Sequence, residues 1–128
     1  MKVSKTALIV EDNLILSLLY ENYLQKSVFK TVGEIKNGSV AIDLVKKYKP
    51  EVIIMDIKLQ GEMDGITAME EIRKFSEVPV IFITGNSDQK SIKRANSIRN
   101  SKFLIKPISE EKMKQAVDEV LLKFGNHI

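Results

Sequence analysis

The sequence predicts an α/β fold in which a parallel β-sheet is flanked by helices. Aliphatic runs alternate with helix-compatible segments five times along the 128 residues. The runs at residues 7–10 and 52–55 contain no polar side chain, which is typical of parallel strands buried on both faces. Carboxylates follow both runs directly, Glu11 with Asp12 in one case and Asp56 in the other. Because chemistry collects at the carboxyl ends of such strands, these acids indicate where a functional site would lie.

The composition is that of an ordinary globular protein, with 44% hydrophobic and 29% charged residues. We expect one domain over residues 1–128, with its core at residues 5–124. The chain has no cysteine, so neither a disulfide framework nor a thiolate metal site is indicated. No apolar run is long enough for a signal peptide or a membrane span, and a cytoplasmic location is therefore expected.

The net charge of +3 is small but unevenly distributed. Residues 87–106 contain six basic side chains and a single acid, Asp88. A solvated helix face is the ordinary interpretation, and a surface for an acidic partner is the sharper one. Nucleic acid is the least favoured partner, since neither interleaved aromatics nor a recognition-helix signature accompanies the charge. The six basic residues are Lys90, Lys93, Arg94, Arg99, Lys102 and Lys106.

The first elements of the chain are predicted from an aliphatic run and a helical spacing. The first strand is expected at residues 6–11, and a second, weaker strand at residues 31–35. Between them a helix is expected at residues 13–26, with Asp12 or Asn13 capping its start. Its apolar positions, taken as the buried stripe, are Ile15, Leu18, Leu19 and Tyr23.

The middle of the chain continues the alternation. A second helix begins at the turn of residues 37–39 and ends at Pro50, because the residue before a proline disfavours the helical conformation. The third strand is expected at residues 52–56, and Asp64 with Gly65 opens the third helix. The positions expected to face the core of these two helices are Val40, Ala41, Leu44, Val45, Tyr48, Ile66, Met69, Ile72 and Arg73.

The fourth strand is expected at residues 80–84, directly after Pro79. Residues 87–98 are helix-compatible but poor in apolar side chains. A helix with so little to bury should be loosely held and should be the element most able to shift. Its main core candidates are Ile92, Ala95 and Ile98.

The fifth strand is expected at residues 102–105 and is followed by the helix with the clearest amphipathic pattern. Ser109 is a suitable N-cap, Glu110 and Glu111 suit the positive end of the helix dipole, and Gly125 should end the helix. The apolar stripe consists of Met113, Ala116, Val117, Val120, Leu121 and Phe124.

If the first and third strands are neighbours, three carboxylates share one edge of the sheet. Two carboxylates ~4 Å apart repel by about 4 kcal/mol at an effective dielectric constant of about 20, so three of them require neutralisation. Mg²⁺ suits such a group because it binds a few carboxylates, keeps several waters and also accepts phosphate oxygens. The ordinary alternative for Glu11 and Asp12 is helix capping, and capping by Asp12 is compatible with metal binding.

Features at the same end of four of the five expected strands resemble the receiver domains of two-component response regulators, of the single-domain type found in chemotaxis. The similarity extends over residues 5–124. It implies a flavodoxin-like, doubly wound sheet in the order 2-1-3-4-5 with five helices. The features are Glu11 with Asp12 after the first strand, Asp56 after the third, Thr84 after the fourth, and Lys106 with Pro107 after the fifth.

The resemblance assigns a role to each of these residues. It implies that Asp56 is the phosphoacceptor, since a carboxylate can attack phosphorus to give an acyl phosphate. It further implies that Mg²⁺ or Mn²⁺ is bound by Asp12 and Asp56, by Glu11 mainly through water, and by the backbone carbonyl of Lys58. The ordinary alternative for Asp56 is a strand-end residue that satisfies the following turn.

The resemblance also assigns residues that assist and transmit the reaction. Lys106 would offer its ammonium, and Thr84 its hydroxyl, to the phosphoryl oxygens. Thr84 and Phe103 would form the switch, and Phe103 must act through packing because it lacks the hydroxyl of tyrosine. The Lys106–Pro107 bond is expected to be cis by the same resemblance. As alternatives, Thr84 is an ordinary strand residue, Phe103 a core residue and Lys106 a surface lysine.

The implied function is signal relay rather than enzymatic turnover of an external substrate. The phosphodonor would be a histidine kinase or a histidine phosphotransfer protein acting in trans, because the chain's one histidine, His127, lies in the tail. The domain would promote its own phosphorylation and dephosphorylation. Phosphorylation would then switch the surface of helix 4, strand 5 and helix 5 towards a downstream effector, and a homodimer on phosphorylation is a further option.

Two departures from the family pattern and three alternatives remain. The loop at residues 59–65 lacks the proline common after the phosphoacceptor and is one residue longer than the commonest form. Lys58 and Asn86 should flank the entrance and tune the lifetime of the acyl phosphate. The alternatives are a degenerate receiver that only binds protein, a phosphatase of the haloacid dehalogenase type, and a receiver fragment of a longer regulator. The phosphatase normally needs a second aspartate where this chain has Lys58.

Overall fold

In a computed structural model, which describes residues 5–85 and 88–124, strands and helices alternate along the chain. Five strands and five helices are found in this part of the chain. Their bounds are β1 (Lys5–Val10), α1 (Leu14–Gln25), β2 (Phe29–Ile35), α2 (Gly38–Tyr48), β3 (Val52–Asp56), α3 (Gly65–Ile72), β4 (Val80–Thr84), α4 (Gln89–Asn96), β5 (Ser101–Ile105) and α5 (Glu110–Phe124).

The strands form one parallel sheet in the order β2-β1-β3-β4-β5, which confirms the predicted fold class and strand order. Helices cover both faces and create two separate apolar cores. Side chains of α2, α3 and α4 pack on one face around Leu8, Ile53 and Phe82. Side chains of α1 and α5 pack on the other face around Ile9 and Ile81. Successive strand residues alternate between the two cores because their side chains point to opposite faces.

The central strands position the site. β3 and β4 are buried along their whole length, as their unbroken aliphatic runs predict. Each ends in a polar residue, Asp56 in β3 and Thr84 in β4, and these two side chains therefore lie at the same edge of the sheet. Asp56 is 4% exposed and Thr84 is 4% exposed. A buried carboxylate at this position demands compensation by neighbouring groups.

The predicted apolar stripe of α1 is wrong at three of its four positions, and the fourth, Tyr23, is half-buried and packs against the core. Ile15 and Leu18 are 77% and 50% exposed, and Leu19 is also exposed, whereas the buried residues of the helix include Ser17 and Tyr20. The buried face follows helical spacing but contains a serine and a tyrosine, so the apolar pattern marks the solvent face instead. The Ser17 hydroxyl has a structural use there, because it accepts a hydrogen bond from the backbone N–H of Glu34 at 3.2 Å.

In α2 the expectation that Val40 and Tyr48 face the core is also wrong, since each is 43% exposed, and the remaining differences concern boundaries. β2 begins two residues earlier than predicted, at Phe29, and β1 ends at Val10 rather than at Glu11. α2 ends at Tyr48, and Lys49 adopts a left-handed conformation with φ of 46° before Pro50. α4 is shorter than residues 87–98, and the predicted helix stop at Gly125 lies outside the described residues. None of the described helices combines the length and the apolarity needed to cross a membrane.

Candidate functional site

Three acids from two strand ends meet at the carboxyl edge of the sheet. Glu11 and Asp12 follow β1, and Asp56 ends β3, which pairs directly with β1. One carboxylate oxygen from each of the three residues lies within 4.8 Å of the others. Glu11 is 2% exposed and Asp12 is half-buried. The structure thus brings together the acids that the sequence analysis singled out.

Lys106 is the basic side chain that faces these acids. Its ammonium nitrogen Nζ lies 3.2 Å from Glu11 Oε1 and 3.3 Å from Asp56 Oδ2. The residue follows β5, and its backbone N–H donates to the carbonyl oxygen of Thr84 at 2.8 Å. The next peptide bond, between Lys106 and Pro107, is cis. Lys106 is therefore held beside Asp56 through its own backbone and through its side chain.

These side chains line an open cleft of about 400 Å³. The exposed Lys58 lies at its rim, and its backbone N–H donates to Asp56 Oδ1 at 3.3 Å. Phe103 lies outside the cleft, half-buried on β5 opposite Phe82 of β4. Asn86, predicted to flank the entrance with Lys58, falls outside the described residues. The residues that line the cleft are Glu11, Asp12, Asn13, Leu16, Asp56, Lys58, Thr84, Gly85 and Lys106.

The structure chooses between the two expected caps of α1 and adds a requirement at Gly65 that the sequence analysis missed. Asn13, not Asp12, caps α1: its side chain accepts from the N–H of Leu16 at 3.1 Å, and its own N–H donates to Glu11 Oε2 at 3.2 Å. Gly65 was expected only to open α3. A Cβ atom at Gly65 would lie 2.1 Å from the carbonyl oxygen of Asp56, so only glycine fits against this backbone. The apolar Leu16 also lines the cleft, and no motif marked it in advance.

The electrostatics of the cleft are dominated by two neighbouring buried carboxyls. Burial, a hydrogen bond with Asp56 and repulsion by Asp56 raise the pKa of Glu11 to about 7, against the opposing effects of the Asn13 N–H and of Lys106. Burial by itself lowers the pKa of Lys106, but attraction to Asp56 and Glu11 outweighs it and raises the pKa. A single lysine thus faces more negative charge than it can neutralise.

The donor set fits a hard divalent cation. Among the described residues, Glu11 Oε1 is the buried side-chain polar atom that has no hydrogen-bond partner. It lies at ion-pair distance from Lys106 but is not aligned for a hydrogen bond with it. An unsatisfied carboxylate oxygen beside two further carboxylates is the oxygen-only environment that Mg²⁺ or Mn²⁺ prefers.

Comparison with models of known protein families identifies the family of the chain that carries this site. The family model for the response regulator receiver domain matches residues 7–118, which is most of the chain. The chain belongs to this family. Receiver domains act in two-component signalling, where they interact with histidine kinases and with downstream effectors, and they bind Mg²⁺ at an acidic pocket.

Two curated relatives and one solved structure illustrate the similarity of this receiver domain. It is 30% identical to the chemotaxis protein CheY of Bacillus subtilis, over 89% of this chain and 95% of the relative. It is 29% identical to the transcriptional regulatory protein PdtaR of Mycobacterium tuberculosis over 95% of this chain, which spans 59% of that relative's length. The signal receiver domain of a putative Luxo repressor protein from Vibrio parahaemolyticus superposes with a TM-score of 0.84 at 26% identity, covering 94% of this chain and 92% of that structure.

Proposed function

We propose that this receiver domain accepts a phosphoryl group on Asp56 and relays a signal by changing its surface. The observation that carries the proposal is the convergence of Asp56 with Glu11, Asp12, Thr84 and Lys106 in one cleft. Phosphoryl transfer depends mainly on positioning and on neutralising charge, and this cleft supplies both a nucleophilic carboxylate and a lysine 3.3 Å from it. A receiver that only binds protein would not need this complete set.

The proposed reaction is an exchange of one phosphorus bond for another. A carboxylate oxygen of Asp56 attacks the phosphorus of a phosphohistidine, and a P–O bond forms as the P–N bond breaks. The bonding electron pair goes to the imidazole nitrogen, which leaves with the donor protein. The donor is a histidine kinase or a histidine phosphotransfer protein acting in trans in the cytoplasm.

Mg²⁺, or Mn²⁺ in its place, would be held by Asp12 and Asp56, by Glu11 mainly through water and by the backbone carbonyl of Lys58. When bound, the cation supplies positive charge that offsets the carboxylates and the incoming phosphoryl oxygens. The ammonium of Lys106 and the hydroxyl of Thr84 provide the further polar contacts to those oxygens. When the phosphoryl group is present, the ammonium of Lys106 gives up part of its contact with Asp56 and contacts the phosphoryl oxygens instead.

The donor is proposed to dock on an apolar face of α1 beside the cleft. Leu14 and Ile15 are 48% and 77% exposed, and Leu18 and Leu19 extend the same face. Single exposed aliphatic residues are common, but four together on one short helix mark an interaction surface. The surface adjoins the cleft because Leu16 of the same helix lines it. A donor helix with an apolar face would fit here while presenting its phosphohistidine to the site.

The output is proposed to pass through the surface of α4, β5 and α5 to a downstream effector, with Thr84 and Phe103 as the switch. The domain acts as a signalling element rather than as an enzyme with an external substrate, although it promotes its own phosphorylation and dephosphorylation. A homodimer on phosphorylation is compatible with this surface. The phosphatase alternative finds no support at Lys58, where a second aspartate is required.

The test uses a small phosphodonor and a mass measurement. The protein is incubated with Mg²⁺ and acetyl phosphate, and the intact mass is determined before and after treatment with hydroxylamine, which cleaves acyl phosphates. We expect one hydroxylamine-labile phosphoryl group, absent in Asp56→Asn and absent when EDTA removes the metal. An adduct that resists hydroxylamine, or one that also forms on Asp56→Asn, would contradict the proposal.

A further inference from the structure

α4 has little apolar contact with the rest of the protein. In the eight residues Gln89–Asn96, Ala95 is the buried residue, and Ile98 adds a further buried side chain just beyond the helix. α3 is of the same length but has five buried residues, Gly65, Ile66, Ala68, Met69 and Ile72. α3 is therefore firmly seated on the sheet, whereas α4 requires other interactions to fix its position.

A bidentate ion pair supplies such an interaction. The guanidinium of Arg94 on α4 donates from Nη1 to Asp64 Oδ2 at 2.7 Å and from Nη2 to Asp64 Oδ1 at 3.3 Å. A third hydrogen bond runs from Nη2 to the hydroxyl oxygen of Thr67 at 3.1 Å. The pair is partly shielded, with side-chain exposures of 40% for Arg94 and 33% for Asp64. Two-pronged guanidinium–carboxylate pairs fix geometry as well as contributing energy.

The carboxylate end of the pair is rigidly held. Asp64 caps α3, because its side chain accepts from the N–H of Thr67 at 2.8 Å. Burial alone would raise the pKa of Asp64, but hydrogen bonds from Arg94 and Thr67 outweigh it and lower the pKa, so the side chain is ionised at neutral pH. Arg94 is consequently anchored to the seated helix, and loss of the pair would free α4 rather than α3.

The pair is linked to the phosphoacceptor through the residue after Asp64. Asp64 precedes Gly65, whose N–H donates to the carbonyl oxygen of Ile57 at 2.7 Å and whose Cα packs against the backbone of Asp56. α4 follows β4, which ends in Thr84 at the cleft. The helix is thus connected to the cleft twice, along the chain to Thr84 and through Arg94 to the segment beside Asp56.

We propose that the Arg94–Asp64 pair is a tether that holds α4 against α3 and thereby limits how readily Asp56 is phosphorylated. The second part rests on the proposed function. A phosphorylated state that displaces α4 must stretch or break the tether, so the tether favours the unphosphorylated arrangement. By linkage, removing it increases the population that is competent for phosphorylation.

The tether itself is tested by amide hydrogen exchange on the metal-free chain of 128 residues. In Arg94→Ala, and in Asp64→Asn, which keeps a good helix cap, the amides of α4 should exchange about fivefold faster than in the wild type. The amides of α3 should be unchanged. Arg94→Lys keeps the charge but loses the two-pronged contact, so its α4 exchange should lie between those of the wild type and Arg94→Ala.

Arg99→Ala is the matched control, because it also removes an ion pair of an arginine. Arg99 lies 2.6 Å from Glu77, and their side chains are 62% and 60% exposed. Neither residue lines the cleft. Arg99→Ala should leave α4 exchange unchanged. Equal exchange of α4 in Arg94→Ala and in the wild type would overturn the tether, as would equal acceleration by Arg99→Ala.

The effect on the site is tested by the initial rate of phosphorylation by acetyl phosphate at saturating Mg²⁺. Arg94→Ala and Asp64→Asn should react about fivefold faster than the wild type, and Arg99→Ala at the wild-type rate. Equal rates in all four proteins would overturn the claim that the tether limits phosphorylation of Asp56. Failure of the wild type to react at all would instead count against the proposed function, and hydrogen exchange would still decide whether the tether exists.

Discussion

Glu11 is a carboxylic acid enclosed at the end of β1, and its environment disfavours ionisation. Its pKa is raised from 4.5 to about 7 by burial and by Asp56. The pKa of Glu11 is higher in the folded protein than in the unfolded chain. The folded state is therefore more stable below pH 4.5, where Glu11 is protonated, than at alkaline pH. That stability is lost as the pH rises through about 7. In the metal-free protein, Glu11 is thus a destabilising residue at alkaline pH.

Glu11→Gln should therefore stabilise the metal-free protein at pH 8.5 and have little effect at pH 4. The gain at pH 8.5 should reach at most about 3.5 kcal/mol, because the pKa rises from 4.5 to about 7 and each unit corresponds to about 1.4 kcal/mol. Urea unfolding in EDTA at both pH values measures the difference. Glu62→Gln, a change at an exposed loop position, is the control and should show no such pH dependence. An equal effect of Glu11→Gln at the two pH values would contradict the assignment.

Lys58 projects at the rim of the cleft, where it can limit the access of water to an acyl phosphate on Asp56. We expect Lys58→Ala to shorten the lifetime of that phosphate by about threefold, because a shorter side chain leaves the entrance open. The decay of radiolabelled acyl phosphate after removal of the donor measures the lifetime. Lys90→Ala, another exposed lysine, is the control. Unchanged decay in Lys58→Ala would refute this role.

At the scale of elements, the loop between β3 and α3 depends on a close approach of two backbones. Gly65→Ala would place a methyl group 2.1 Å from the carbonyl oxygen of Asp56, so the backbone must shift. We expect a loss of about 3 kcal/mol in the free energy of unfolding, measured by urea titration. Gly85→Ala is the matched control, because no atom lies within 4 Å of a Cβ built there. Similar losses in both variants would show that close packing is not the cause.

The connection between α1 and β2 contains a residue in an unfavourable conformation. Val28 has a φ of 70°, which costs a β-branched residue about 1–2 kcal/mol, and its side chain is 60% exposed. Val28→Asn should raise the free energy of unfolding by about 1 kcal/mol, because asparagine tolerates this conformation. Val40→Asn, at an exposed position of α2, is the control and should not stabilise the protein. Thermal and urea unfolding together measure both changes.

How accurately each helix or strand was predicted depends on how much of its surface is buried in the structure. β3 and β4 were predicted to the residue, because a wholly buried strand has an unbroken aliphatic sequence with polar residues or proline at its ends. α1 was predicted with the wrong face, because its buried side includes Ser17 and Tyr20 while leucine and isoleucine occupy the side that faces solvent. A pattern of hydrophobicity cannot distinguish a core face from an exposed apolar face.

At the scale of the whole molecule, the apolar face of α1 is expected to serve the donor protein and not the chemistry. Ile15→Ser with Leu18→Ser should slow phosphorylation by a phosphohistidine donor protein about tenfold, because an apolar contact area is lost. Phosphorylation by acetyl phosphate should be unchanged. Leu122→Ser is the matched control, since Leu122 is 80% exposed on α5. Equal slowing with both donors would show that the substitutions disturb the cleft itself.

The sequence predicted the side chains of the cleft but not the contacts that position them. Glu11 and Asp56 were identified because they stand at the carboxyl ends of buried strands, which parallel topology brings together, whereas Thr84 was identified through the resemblance to receiver domains. The requirement for glycine at position 65 depends on a backbone approach that no sequence pattern reveals. Arg94 was counted only as one of six basic residues, since its partner belongs to a different helix. Four of those six form ion pairs with acids of this chain: Arg94, Arg99, Lys102 and Lys106.

The sheet that carries the cleft also divides the interior into two apolar cores that share no side chain. Substitutions separated by a β-sheet and lacking common neighbours generally have additive energetic effects. The half around α2, α3 and α4 can therefore diverge in evolution while the half around α1 and α5 stays fixed, and the reverse also holds. The proposed donor face on α1 rests on one half alone, whereas the proposed output surface of α4, β5 and α5 draws on both halves, so a change confined to α4 leaves the packing beneath the donor face unaltered.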